Sequence, residues 1–588
     1  MRRPALGLGG LLGLLGLLFA ASAISGPILR PGWPRYIFDT TQLFFYGPHA
    51  AAADLDGDGI AELCVGAGNK VYLMGIDGEP LPGWPKVNPN SSSSFRLPAL
   101  GDIDGDGRGD VVTWSRGAPP VYLYAWNIEG EALPGFPIAF PGEVIGGGGA
   151  GPTLFDIDGD GILDIIHSSE GYWPEPGSLV VRRGDGSILP GWPQEIDTLS
   201  WSGYYGAGDI DGDLFPEIIT GPRSPSRLFA FHNDGTFVEG WPVLYDPGME
   251  TGGPAALADF DGDGDAEIAM SQSRIYPQFA RFFLWNGDGM NLWPPAFEFE
   301  ESAVYTNPAI ADLDSEGKPE IVHPLLTRVW AFGADADTVP GFPLELEYGM
   351  GIYGASPITG DIDGDLEMEI LLSVNRADSM PPDTVYTGYL YGYNMDGTQA
   401  KGFPLRVQGI AWDSDPVLID ADSDGTLDLF VFSTWSERFA RGWAYLFTLE
   451  GAVHPELVEW GQAGHDAQHT SNYDFRPPVG IAEETQGGFN HHAITTLLQN
   501  FPNPFNPNTT ISFDVQSDKE ITQTVNLTIY DIRGRRVKVL IDRGLEAGRH
   551  RVIWDGKDEK GIEVASGIYF YQVKAGGYIY TRKMTLMR

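Results

Sequence analysis

One cysteine, Cys64, stands in 588 residues, which excludes an internal disulfide framework and a CxxC zinc site. Flanked by Leu63 and Val65, it reads as a small buried hydrophobe. Basic residues are scarce too: 37 Lys and Arg against 80 Asp and Glu leave a formal charge of −43. A chain this acidic repels phosphate backbones and anionic headgroups, so nucleic acid is excluded as a partner. Catalytic signatures are missing as well. There is no GxSxG elbow, no phosphate loop and no GxGxxG in a βαβ setting, and the run Gly146 to Gly149 lacks the lysine of a phosphate loop. His465-Asp466-Ala467-Gln468-His469 carries Asp where an HExxH zinc helix carries Glu, and Gly461, Gly464 and Asn472 make a poor helix. The stretch WGQAGHDAQHTSNY reads instead as a closing segment packed on the last repeat. Long apolar runs are absent beyond the N-terminus, so no later stretch reads as a membrane span.

At the N-terminus, Arg2 and Arg3 precede an apolar run from Ala5 to Ala21, followed by Ala21-Ser22-Ala23. This is the pattern of a cleaved signal peptide over 1–23. No Cys follows it, so no lipoprotein anchor is expected. The whole chain is 42% hydrophobic and 12% aromatic, enough for packed cores. Its 78 Gly and 45 Pro favour short strands between tight turns.

A nine-residue acidic pattern fills the middle of the chain, returning eight times at intervals of 48, 54, 53, 50, 53, 49 and 59 residues. Periods of this size mean a solenoid, propeller or array. Each period has the content of four short strands: an apolar lead-in such as Pro98-Ala99-Leu100, a β-run such as Ile165-Ile166, a second run such as Val71-Tyr72-Leu73-Met74, then an Asp-Gly turn. A Gly-aromatic-Pro tag follows, at Gly83-Trp84-Pro85, Gly135-Phe136-Pro137, Gly191-Trp192-Pro193, Gly240-Trp241-Pro242, Gly341-Phe342-Pro343 and Gly402-Phe403-Pro404. These aromatics read as packing between repeats rather than as sugar platforms. A tag also stands at Gly32-Trp33-Pro34, before the first acidic loop, while the last period has none. The N-terminal segment is therefore expected to complete the last repeat, closing an all-β, eight-bladed (alternatively seven-bladed) propeller over 24–472.

Acids at positions 1, 3, 5 and 9 of each loop form a candidate calcium set, because Ca2+ takes about six to eight oxygens in flexible geometry. The sets are Asp54, Asp56, Asp58 and Glu62; Asp102, Asp104, Asp106 and Asp110; Asp156, Asp158, Asp160 and Asp164; and Asp209, Asp211, Asp213 and Glu217. Then come Asp259, Asp261, Asp263 and Glu267; Asp312, Asp314, Glu316 and Glu320; Asp361, Asp363, Asp365 and Glu369; and Asp420, Asp422, Asp424 and Asp428. Gly at positions 4 and 6 permits the turns. An EF-hand is excluded, because its Glu belongs at position 12, where Val65, Thr113, His167, Thr220, Met270, His323, Leu372 and Val431 stand. Leu214 and Leu366 at position 6, Ser315 and Ser423 at position 4 and Glu316 at position 5 point to weaker binding in the fourth, sixth, seventh and eighth loops. These sets contain 32 of the 80 acids, and filling all eight with Ca2+ would bring −43 to about −27.

These loops, with small-residue runs such as Gly203-Tyr204-Tyr205-Gly206-Ala207-Gly208, resemble the FG-GAP/VCBS repeats of integrin α-subunit heads and many bacterial surface proteins. The resemblance covers roughly 420 residues and implies a β-propeller with calcium in the blade loops. It leaves activity open, since the same propeller carries adhesins, lectins and some polysaccharide lyases.

Residues 473–495 are polar, Gly/Pro-containing and aperiodic, a linker. Beyond it the charge inverts, with 14 basic and 10 acidic residues in 496–588. Alternating runs such as Val525-Asn526-Leu527-Thr528-Ile529-Tyr530 read as a β-sandwich. The segments Gln499 to Pro507, Tyr530 to Arg535, Gly548-Arg549-His550, Trp554-Asp555-Gly556, Ser566 to Tyr569 and Lys583-Met584 resemble the C-terminal sorting domain of the type IX (Por) secretion system. That domain is Ig-like and similar to one in flagellar hook-capping proteins. The resemblance implies recognition by the type IX machinery and passage through the periplasm to the outside of a Gram-negative-type bacterium. The expectation is a monomeric secreted or surface propeller that binds a glycan or protein, the alternative being a polysaccharide lyase or hydrolase. The one sizeable insertion, RADSMPPDTVYTG around Asn375 to Thr387, is modest for a catalytic rim.

Overall fold

The computed structural model describes residues 26–38, 49–449 with internal gaps, then Val458, Gln462 and Asp466, and strands within 494–586. The signal segment 1–23 lies outside the described residues. Among those described there is no helix, and no helix long and apolar enough to cross a membrane. The chain divides into units 1–475 and 476–588.

The first unit holds eight antiparallel sheets of four or five strands among the described residues. Setting aside the short leading strands Ser94–Phe95, Glu250–Thr251 and Met350–Gly351, the acidic loop joins the first strand of each sheet to the second: His49–Ala53 to Glu62–Ala67 in the first sheet, Val417–Ile419 to Asp428–Thr434 in the eighth. The eighth sheet takes its outer edge from the other end of the chain. Ile28–Leu29 and Arg35–Phe38 both pair with Arg441–Thr448, in the registers Ile28↔Thr448 and Arg35↔Ala444. The N-terminal tag thus does complete the last repeat.

First strands of successive sheets touch in chain order, and Val417–Ile419 of the eighth touches His49–Ala53 of the first. The apolar cores lie between neighbouring sheets. One joins Leu55, Leu73 and Trp84 to Leu100, Val111 and Trp126, and another joins Phe430, Phe432 and Leu446 of the eighth sheet to Ala50, Leu63 and Val65 of the first. Alternating strand residues supply these layers, which is why each repeat is stable only against its neighbours. Cys64 is fully buried in one layer and burial pushes its thiol up, in keeping with a packing role.

Tryptophans at the tags, and Trp293 in the fifth sheet, tie sheet to sheet. The Nε1–H groups of Trp84, Trp192, Trp241 and Trp293 donate to Ile128 O, Asn233 O, Gly287 O and Ala334 O in the next sheet's turn, at 2.7, 3.0, 2.6 and 2.7 Å. Trp33 repeats the bond from the eighth sheet to Ile76 O of the first, at 2.8 Å. These rings are under a tenth exposed, so they pack rather than present a platform. Trp293 has no Gly-aromatic-Pro tag, so its role was not legible as part of that pattern. The closing segment bridges both ends of the array: Val458 packs on the core between the seventh and eighth sheets, while Gln462 exchanges hydrogen bonds with Ala52 N–H and Ala52 O in the first.

The second unit has two antiparallel sheets. Ile494–Leu497, Thr509–Val515 and Gly548–Trp554 form one; Arg536–Leu545, Gln523–Asp531, Gly567–Ala575 and Tyr578–Leu586 form the other. Ile511, Phe513 and Trp554 of the first share a core with Leu527, Tyr571 and Met584 of the second. The strand Ile494–Leu497 starts inside the expected linker, Ile494 pairing with Val515 and Leu497 with Phe513.

Candidate metal centres

Each acidic loop is built by its own carboxylates. In the first, Asp54 Oδ1 accepts Gly57 N–H at 2.7 Å and Oδ2 accepts Gly59 N–H at 2.8 Å, while Asp58 Oδ1 accepts Ile60 N–H at 2.8 Å. Asp102 and Asp156 repeat the first pattern. Gly57 and Gly59 hold φ of 75° and 86°, the left-handed region that favours glycine. Ser423 takes φ 52° at position 4 of the eighth loop, where its hydroxyl donates to Gly59 O of the first loop at 2.7 Å. Position 2 is a buried apolar anchor in all eight loops: Leu55, Ile103, Ile157, Ile210, Phe260, Leu313, Ile362 and Ala421.

The position-9 acid opens the second strand and turns back on the loop. One oxygen accepts the position-2 N–H in every case: Leu55 to Glu62, Ile103 to Asp110, Ile157 to Asp164, Ile210 to Glu217, Phe260 to Glu267, Leu313 to Glu320, Ile362 to Glu369 and Ala421 to Asp428. These eight carboxyls are all buried. Burial, reinforced by the loops' other acids, pushes Glu62 and Asp164 up to about 7, Asp110 and Glu320 to about 8, and Glu217 and Glu369 to about 9. Burial also raises Asp104, Asp156, Asp363 and Asp420.

In the seventh loop, oxygens of Asp361, Asp363, Asp365 and Glu369 lie within 4.8 Å of one another. Comparable groups are Asp54, Asp56 and Asp58; Asp102, Asp104 and Asp110; Asp156, Asp158 and Asp164; and Asp211, Asp213, Glu217 and His232. His232 was not anticipated from the sequence. It stands just before the Asp234-Gly235 turn, and its Nδ1 is 3.2 Å from Glu217 Oε1. Asp263 and Glu316 lie outside the described residues, as do Leu214, Leu366 and the two histidines of the HDAQH segment.

The residues fit a hard divalent cation. The donors are carboxylate oxygens except for His232 in the fourth loop, several are buried, and Glu369 Oε1 is buried without a hydrogen-bond partner. Buried like charges this close need a cation to stay ionised. Arg183 reaches Asp158 from the same turn position that His232 occupies in its sheet.

The fold and these loops define a repeated all-β protein with acidic inter-strand sites. Residues 54–113, 102–167 and 209–270 match the FG-GAP-like repeat, and these spans contain the first five acidic loops; residues 503–577 match the FlgD Ig-like domain. No curated protein matches the chain. Similar solved structures include a Bacteroides caccae protein of unknown function, 14% identical over 46% of this chain and 84% of that one, with a TM-score of 0.26. PorZ, a surface component of the type-IX secretion system of Porphyromonas gingivalis, is 14% identical over 90% of this chain and 74% of that one, at 0.23. Dimeric latent PorU from the same bacterium is 12% identical over 66% and 32%, at 0.15. Likenesses at this level carry no argument about fold or function.

Proposed function

We propose that residues 24–472 form a closed eight-bladed β-propeller, stabilised by calcium in its acidic loops, that binds an extracellular glycan or protein. Closure is supported by the contact of the eighth sheet with the first, by the N-terminal strands on the eighth sheet, and by the Trp33 bond to Ile76. Calcium is supported by donor sets made of carboxylate oxygens, His232 in the fourth loop apart, and by carboxylates whose burial calls for a counter-charge.

The observation that carries the binding reading is a difference between the two edges of the sheets. Every acidic loop has the same length between its strands, from 54–61 in the first sheet to 420–427 in the eighth. On the opposite edge the connection from second to third strand runs from two residues, 68–69, to eight, 378–385. Variable connections on a rigid scaffold are where recognition is placed. The acidic edge is therefore structural and the variable edge is the binding surface.

Residues 496–588 act as an Ig-like sorting sandwich for the type IX pathway, delivering the protein through the periplasm to the cell exterior. The resemblance of its motifs and the match of 503–577 to the FlgD Ig-like domain support this. A glycan array and a polysaccharide-degradation screen on the full chain test the binding reading. Retention of a glycan without change to it is expected; release of unsaturated sugar products would replace the binder with a lyase.

A further inference from the structure

The eighth acidic loop holds a guanidinium on its position-9 acid, whereas Arg183 in the third loop reaches only the position-3 acid, Asp158. Arg30 follows the N-terminal strand Ile28–Leu29, and its N–H donates to Leu446 O at 2.9 Å. Its guanidinium grips the position-9 acid with both arms, Nε to Asp428 Oδ1 at 2.9 Å and Nη2 to Asp428 Oδ2 at 2.8 Å. Nη1 reaches the position-3 acid, Asp422 Oδ2, at 2.9 Å. Thr448 Oγ1 completes the cluster, accepting from Arg30 Nε and donating to Asp428 Oδ1, each at 2.8 Å. Asp428 is fully buried and the Arg30 side chain is 14% exposed.

Arg30 is also where the tag pattern breaks. Leu81, Leu133, Leu189, Val238, Val339 and Ala400 occupy the same place in six other sheets. Each donates its N–H to the third strand and accepts from the tag aromatic three residues on, the same two backbone bonds that Arg30 makes. All six are apolar. The fold therefore asks only for an apolar side chain here, and backbone geometry does not explain an arginine; the two loop acids within its reach do.

We propose that the eighth loop takes no calcium and that the Arg30 guanidinium serves as its built-in cation, fastening the N-terminal segment to the last sheet independently of metal. This rests on the calcium reading of the other loops. Ca2+ would need the Asp422 and Asp428 oxygens at about 2.3–2.6 Å. Both Asp428 oxygens already receive charge-assisted bonds in the fork geometry that arginine and carboxylate share, and Asp422 Oδ2 receives a third, while Asp422 Oδ1 is buried without a hydrogen-bond partner. Metal and guanidinium would be like charges contending for the same atoms. The two ends of the sheet array are thus joined by a contact that calcium withdrawal leaves intact, while the sites within the other sheets empty.

The test is calcium stoichiometry, measured by equilibrium dialysis on the full chain. Arg30→Leu installs the residue type of the equivalent positions and is expected to bind one calcium more than the wild type. Asp422→Asn in the wild-type background is expected to leave the count unchanged, whereas Asp56→Asn in the first loop loses one. The proposal is overturned if Asp422→Asn loses a calcium, or if Arg30→Leu folds and gains none. Should Arg30→Leu fail to fold, the Asp422→Asn comparison decides alone. A wild type that binds several ions while either overturning result holds removes only the Arg30 assignment; a wild type that binds none removes the calcium reading with it.

Discussion

Calcium withdrawal should cost the first unit a large part of its thermal stability, and more at high pH than at low. A ligand that binds only the native state contributes about 2.7 kcal/mol per site at about a hundredfold excess over its dissociation constant, so seven loaded loops give roughly 19 kcal/mol. The sheets span 26–449. At about 2.1 cal/mol/K per residue, an unfolding entropy near 0.9 kcal/mol/K turns that into a fall of about 20 °C in Tm. The pH dependence has a definite sign. Without metal, Glu217 and Glu369 sit at about 9 and Asp110 and Glu320 at about 8, against 3.8 to 4.5 for ordinary carboxyls. Over that interval the native state binds more protons than the unfolded state, so stability is present at low pH and lost as pH rises toward 9. With calcium the same carboxylates are ionised and the slope vanishes above about pH 5. Differential scanning calorimetry of the full chain in EGTA and in calcium, at pH 5 and pH 8, should show a gap that widens with pH. Coincident melts at pH 8, or a gap that narrows from pH 5 to 8, would refute the reasoning.

Glu369→Gln keeps an acceptor for Ile362 N–H but removes the charge beside Asp361, Asp363 and Asp365; it should lower Tm in calcium and raise it in EGTA at pH 8, and a fall in both conditions contradicts a metal-ligand role. Trp241→Phe keeps the ring but leaves Gly287 O without its 2.6 Å donor, for a loss of about 1–3 kcal/mol, while Trp241→Ala should cost about 3–5 kcal/mol, read by denaturant unfolding; equal effects would mean that the bond between sheets contributes nothing. Deleting 496–588 should leave the propeller folded but held in the periplasm of the producing cell, scored by fractionation, whereas unchanged export would remove the sorting assignment.

Much of the first unit was legible because its physics is local and repeated. A loop whose acids bond their own backbone N–H groups needs Asp, Gly and an apolar anchor at fixed spacing, so Asp54, Gly57 and Leu55 announce it wherever they recur. The displaced tag at Gly32-Trp33-Pro34 was legible for the same reason, since a pattern present seven times shows where a member is missing. What could not be read were contacts that cross from one period to another or from the strands onto a loop. His232 and Arg183 occupy a turn position that holds Gly75 and Asn127 in the first two sheets, so their spacing carried no signal until the turn was seen to face its own acidic loop. Arg30 sits 392 residues from Asp422, and nothing short of the pairing of the two chain ends brings them together. Yet the sequence holds a trace of it, because in a repeat the informative residue is the one that departs from its equivalents. A position that is apolar in six other sheets and arginine in the eighth signals a local demand that the shared fold does not make, and here that demand is the uncompensated charge of Asp428 and Asp422. A loop with acid at 1, 3, 5 and 9 is therefore a metal site only where no other cation holds its position-9 acid, a condition that depends on topology and not on the loop's own sequence.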